Sequence, residues 1–448
     1  MSWREEVAKQ LRLALPVVTI QVGLMLMGVV DTLMMGRVSA HHMAAVAIGN
    51  TWVFGLIAFG LGTLQALDPV VSQAFGAQDK TAIARAFQRG LVLAFVLAIP
   101  IGLGITAIGP VLEGTGQPAS VVPIATEYGL ISIAGVPAFL VFVGLRMGMQ
   151  AIHVMRPLVL AIVCANLLNV FLDWLLIFGH LGFPALGAIG CAWATVFARW
   201  CQAVALIVLA WPVLKPYLHP LRREVLALVP LFRLVRLGAP IGAQFALEIG
   251  AFSMVAFMMG RFEEEAMAGH QVALTLAALS FMVPLGISMS GSVRVGHEVG
   301  RGDPAAMRRA AKVTLLFGPG VMLFSAVLFL VLPSDLARAF TDDTEVIAVA
   351  AVLIPIAGVF QVFDGTQIVA TGVLRGVGDT RVPMLIHLVG FWLFGIPLGM
   401  FLAFYLDHGP QGLWWGLVAG LASVALSLLL RVRNRLSRTV KRLRIDDA

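Results

Sequence analysis

Five carboxylates stand inside long apolar stretches of this 448-residue chain: Asp31, Asp68, Asp173, Glu248 and Asp364. An acid at the centre of a membrane helix costs roughly 2.5–3.5 kcal/mol on insertion scales. It must face a polar cavity, pair with a cation or hold a proton, and each option suggests ion coupling. Burial favours the neutral carboxyl and brings proton exchange toward physiological pH. Carboxylate, hydroxyl and carbonyl oxygens also suit a hard cation such as Na⁺. Depth sorts the acids. Asp31 and Asp173 each lie roughly 7–8 Å below one surface at 1.5 Å per residue. Asn169 is one turn deeper on the Asp173 face, and Thr195 lies roughly 12 Å down the following run. Asp31, Asn169, Asp173 and Thr195 can share one site for proton or ion coupling. Glu248 lies about 18 Å below the same surface and Asp364 roughly 22–27 Å along its own run. These two fall nearer the midplane and form a second candidate site, with Na⁺ as its candidate ion.

Other polar groups have blander readings. Arg199, one turn past Thr195, offers Asp173 a structural partner. Asp68, in QALDPVVSQAFGA, lies near a helix end and reads as structural or gating. Asp342–Asp343 reads as solvated loop, and His297–Glu298 lacks the second histidine of a metalloprotease site, so no zinc is expected. Phe245, Phe252, Phe281, Phe360, Phe363 and Trp392 read mostly as packing or lipid-facing side chains, a few of which can hold cations by their ring faces. Asp31, Phe281, Gln244 and Gln361 are the candidate substrate contacts. The three cysteines, Cys164, Cys191 and Cys201, fall in apolar segments at no metal-ligand spacing and read as packing.

The elements that carry these residues follow from composition. Hydrophobic residues make up 59% of the chain and charged ones 12%, against about 25% charged in soluble domains. The chain reads as an all-α polytopic membrane protein. Its start, MSWREEVAKQLR, leads straight into a full-length apolar segment, so no cleavable signal is expected. Twelve runs of spanning length occur, near 13–36, 46–70, 88–109, 122–146, 157–178, 187–211, 236–260, 268–293, 310–332, 346–372, 382–405 and 411–430. With the N-terminus inside, the inner segments hold 27 of the 31 Lys and Arg. The outer loops hold only Arg37, Arg261 and Arg338, which fixes both ends as cytoplasmic. The net charge of +7 is thereby a topology signal, and no nucleic-acid partner is expected.

A shift of 224 residues superposes the halves. LALP at 13–16 meets LGAP at 237–240, and MMGR at 34–37 meets MMGR at 258–261. Leu61–Gly62 meets Leu285–Gly286, Asp79 meets Asp303, and Arg85 meets Arg309. Each repeat has six spans and the same orientation, so two six-helix lobes related by a pseudo-two-fold axis along the membrane normal are expected, a transporter architecture. The expected organisation is an N-lobe over 1–211, a Pro-rich cytoplasmic linker over 212–235, a C-lobe over 236–430 and a basic tail over 431–448. The acids do not obey the repeat: Asp31 aligns with Val255 and Glu248 with Leu24. No phosphate-binding loop is present, since none of the five lysines follows a glycine, and an ion or proton gradient is the expected drive.

With these residues in view, the chain resembles the MATE (multidrug and toxic compound extrusion) family, in its NorM-like branch, over essentially its whole length. The resemblance is carried by LALPVVTIQVGLMLMGVVDTLMMGR, QALDPVVSQAFGAQD, NLLNVFLDWLLIFG with ALGAIGCAWAT, GAPIGAQFALEIGAF, GISMSGSVRVGHEVGRGD and GVFQVFDGTQIVATGVLRGVGDTRVP. It implies a bacterial inner-membrane antiporter that exports cationic drugs or dyes against Na⁺ or H⁺. Its two lobes would form a V-shaped cleft. It matches Asp31, Asn169, Asp173 and Thr195 to the family's N-lobe set, and Glu248 and Asp364 to its proposed Na⁺ ligands. Phe281 stands where some members carry a tyrosine and offers only a ring face. No cofactor beyond the coupling ion, no partner beyond substrate and membrane lipid, and a monomer are expected. The alternative is a lipid-linked oligosaccharide flippase of the wider superfamily, disfavoured by the acidic sites and the count of twelve helices. A membrane enzyme has no metal or nucleophile constellation to support it.

Overall fold

The computed structural model describes residues 3–446, and no β-strand occurs among them. Twelve helices are long and apolar enough to cross a membrane. They are α1 (Trp3–Met35), α2 (His41–Gly76), α3 (Lys80–Gly114), α4 (Val122–Ala151), α5 (Arg156–Phe178) and α6 (Ala188–Leu218), then α7 (Leu228–Met259), α8 (Glu264–Arg301), α9 (Pro304–Val331), α10 (Thr344–Gly376), α11 (Arg381–Tyr405) and α12 (Gly409–Ser437). The chain is a multi-pass membrane protein. Each helix covers one expected run, and several extend well past it. α1 begins at Trp3 and α8 continues to Arg301, because the polar ends of these segments are good helix formers once the apolar part is placed. α6 and α7 likewise run into the expected linker, where a short 3₁₀ helix at Arg223–Leu226 bridges them.

The chain divides into two compact units, and each takes one helix segment from the other repeat. Residues 3–18 pack with Ala243–Leu443, and Thr19–Gly242 packs with residues 444–446. The two exchange points, Val18 and Gly242, are separated by the repeat offset. Pro16 and Pro240 lie two residues before them, inside α1 and α7.

The same glycine receives the guest segment in each unit. A Cβ on Gly62 would lie 2.5 Å from Gly242 Cα, and one on Gly286 would lie 2.5 Å from Val18 Cγ2 and 3.0 Å from Val18 N. Only glycine lets the backbones approach this closely, the small-residue packing typical of membrane helices. In the unit built on α7–α12, the guest start of α1 is also tied by polar contacts. Gln10 Nε2 donates to Ser290 Oγ at 2.9 Å, and Arg294 donates to both Glu6 oxygens at 3.0 and 2.9 Å. Arg294 and Arg301 then share Glu298. Glu298 is therefore a member of an ion network.

The repeat also preserves helix starts. Asp79 accepts from Ala82 N at 2.9 Å at the head of α3, and Asp303 accepts from Ala305 N and Ala306 N at the head of α9. Each carboxylate supplies an acceptor for otherwise unpaired amides of the first turn. Two spans depart from α geometry over a stretch: α4 is 3₁₀ at Ile133–Gly135, and α11 is π-helical over Leu388–Gly395 and again over Phe401–Tyr405.

Candidate functional site

The N-terminal acids meet inside one unit. Asp31 on α1 and Asp173 on α5 are both buried, and Asn169 and Thr195 are buried beside them. Thr195 Oγ1 donates to Asp31 Oδ2 at 3.0 Å. One oxygen each of Asp31 and Asp173 and the thiol sulfur of Cys191 lie within 4.8 Å of one another. Asp31 Oδ1, both Asp173 oxygens and both Asn169 amide atoms are shielded from solvent without a hydrogen-bond partner among the described residues. Buried polar atoms are normally paired. A group of oxygen acceptors of this kind fits a proton or a hard cation.

Arg199 is within electrostatic reach of Asp31 but forms no ion pair with either acid among the described residues. Its guanidinium lies over the Phe139 ring at 5.2 Å. Asp68 is buried in the first turn of Leu67–Gly76 and interacts electrostatically with Arg146, whose Nη2 donates to Gln21 Oε1.

The C-terminal acids also meet, through a residue that carries no charge. Gln367, one turn past Asp364 on α10, donates from its amide nitrogen to Asp364 Oδ1 at 3.1 Å and to Glu248 Oε1 at 3.2 Å. The two carboxylates thus converge on one donor, and their oxygens are a suitable set for a hard cation. Gln244 lies one turn before Glu248 on α7, and its amide nitrogen is 3.3 Å from His387 Nε2. Gln361 is fully buried one turn before Asp364, with neither amide atom hydrogen-bonded among the described residues. Phe281 packs in a cluster with Ala14, Leu285, Ile287, Ile368 and Val369.

Four residues of these sites escape a reading built on acids. Cys191 reads as packing by sequence, yet its sulfur sits against Asp31 and Asp173. Gln367, His387 and Trp392 surround the C-terminal pair. A usable signal exists for Gln367: Gln361, Asp364, Gln367 and Thr371 recur on α10 at helical spacing, a polar stripe in an apolar helix.

Comparison with known proteins adds the family. The sequence model of MatE matches residues 16–175 and 240–401, one stretch in each repeat. The chain is 36% identical over 445 residues to a probable multidrug resistance protein NorM of Bradyrhizobium diazoefficiens, covering 97% of this chain and 95% of that one. It is 32% identical to the multidrug resistance protein NorM of Photobacterium profundum, covering 96% of each. Among solved structures, the eukaryotic MATE transporter AtDTX14 shares the fold with a TM-score of 0.88 at 22% identity, over 97% of this chain and 99% of that one. A match in both repeats and relatives alike over nearly their full length place this chain in the MatE family.

Proposed function

We propose that the protein is a secondary multidrug efflux antiporter of the bacterial inner membrane, with both termini cytoplasmic, exporting cationic or amphipathic compounds in exchange for Na⁺, H⁺ or both. The observation that carries this reading is the N-terminal constellation. Asp31 and Asp173 are buried together with oxygen atoms to spare, and no ion pair occupies them among the described residues. A cationic drug and an inbound ion are rival counter-charges for such acids. When the ion or proton neutralises Asp31, the drug loses its electrostatic partner and leaves; when the ion departs, the site is again ready for drug. The relatives named as multidrug resistance proteins support export of this kind.

The test is dye efflux from proteoliposomes under a Na⁺ gradient alone and a pH gradient alone. Asp31→Asn keeps the size and removes the charge. Gradient-driven efflux is expected to be abolished in that variant, and efflux at the wild-type rate would defeat the proposal. The two gradients decide which ion drives transport.

A further inference from the structure

α11 carries no acid, yet it touches both helices of the C-terminal acid pair. We propose that His387 is a positioning residue of that pair, acting through Gln367. The inference rests on the reading of Glu248 and Asp364 as an ion-coupling site.

His387 is fully buried and engaged at both ring nitrogens. Nδ1 lies 2.8 Å from Pro383 O, a carbonyl that can only accept, so this nitrogen carries a hydrogen and ties the ring to its own helix. Nε2 lies 2.8 Å from Gln367 Oε1, also an acceptor, and donates to it when the ring carries a hydrogen on both nitrogens, as the imidazolium. With its oxygen held by the ring, Gln367 turns its amide nitrogen to Asp364 and Glu248. The reversed amide would set an oxygen against two carboxylates, an acceptor facing acceptors. His387 therefore selects which end of Gln367 meets the acids. Gln244, one turn from Glu248, approaches the same ring nitrogen and brings α7 into the arrangement.

A second contact from α11 fixes the height of Glu248. Trp392 Nε1 donates to the carbonyl of Leu247, the residue before Glu248, at 3.0 Å. The indole lies so close to Gly250 that a Cβ there would come within 3.1 Å of the ring. His387 and Trp392 are five residues apart. In an α-helix that spacing places side chains about 140° apart around the axis, at 3.6 residues per turn. A π-helix closes from i to i+5 and stacks such residues one above the other, and π segments are concentrated at functional sites. The π segment at Leu388–Gly395 is thus what lets one helix reach α10 through His387 and α7 through Trp392.

The experiment uses the full chain in proteoliposomes loaded with ethidium, with efflux measured against the concentration of the driving cation in separate Na⁺ and pH arms. His387→Phe is expected to raise the half-saturating concentration by about tenfold, the scale of one charge-assisted hydrogen bond. The maximal rate should stay within about twofold, because the acids remain. His387→Gln retains a donor for Gln367 and should recover most of the shift. Gln367→Leu should reproduce it, and the double variant should add little, since both act through one amide. A role in packing alone would lower the maximal rate and add to the Gln367 change. An unchanged half-saturating concentration in His387→Phe, with a raised one in Glu248→Gln, overturns the positioning role and spares the coupling role of the acids. An unchanged value in Glu248→Gln overturns both. If His387→Phe does not fold, the Gln367→Leu variant decides: no shift there also overturns the proposal.

Discussion

The contact between Gly62 and Gly242 gives a prediction whose size can be worked out from distances. The perturbation is Gly62→Ala. Its Cβ would stand 2.5 Å from Gly242 Cα, 2.7 Å from Gly242 N and 3.0 Å from Ile241 C. Carbon atoms in contact prefer about 3.5–4.0 Å, so the helices must part by about 1 Å. Overpacking typically costs about 1–3 kcal/mol. The upper part of that range applies because backbone, with no side chain to swing away, blocks the methyl group. The helix-propensity gain of Ala over Gly returns up to about 1 kcal/mol, leaving a net loss of about 1–2 kcal/mol. Gly28→Ala is the control: nothing lies within 4 Å of its Cβ, and it keeps the propensity gain. Thermal unfolding in detergent, followed with a thiol-reactive dye, suits a chain whose Cys191 is free and buried. Gly62→Ala should melt several degrees below the wild type and Gly28→Ala at or above it. Because α7 runs from this contact toward Glu248, efflux should fall as well. Equal melting of Gly62→Ala and wild type, or an equal drop in Gly28→Ala, would refute the reasoning.

Two further outcomes are expected. Arg294→Leu leaves buried Glu6 without its partner and should destabilise the protein by about 3–5 kcal/mol; a melting curve matching the wild type would show the network to be dispensable. At the head of α9, hydrogen bonds from Ala306 N, joined by Ala305 N, hold the exposed Asp303 carboxyl below its usual range. A lowered folded-state value means a stabilising contribution that is present above the unfolded value of about 3.9 and lost as pH falls through the folded one. Asp303→Ala should therefore melt lower than wild type at pH 7, with the gap closing in strong acid; a gap that does not depend on pH would contradict the capping role.

The parts of this structure that were legible in the sequence are those set by solvent. Twelve spans follow from hydropathy, and the depth of each acid follows from helical rise. Asp31 and Thr195 meet as their depths suggest, and so do Glu248 and Asp364, bridged by Gln367. What stayed hidden has no solvation signature. Gln367 carries no charge and histidine adds no formal charge to a count of the sequence, so a search for charged residues in apolar helices passes over both. The exchange of helix segments at Val18 and Gly242 preserves the repeat pattern on both sides, so alignment of the halves cannot reveal it. The placement of Phe281 in an apolar cluster depends on rotation about α8, which periodicity leaves open in a helix apolar on most faces.

The π segment of α11 bears on how related chains must be aligned. A turn closed from i to i+5 takes one residue more than an α turn. A relative whose eleventh span is α-helical throughout would reach the same height with a shorter chain. Equivalence between the two then requires a gap inside a membrane span, where alignment procedures are least willing to open one. An ungapped comparison would shift every residue on one side of Leu388–Gly395 by one position. Either His387 or Trp392 would then be matched to a neighbour that points about 100° away, and an equivalent side chain in that relative would be overlooked.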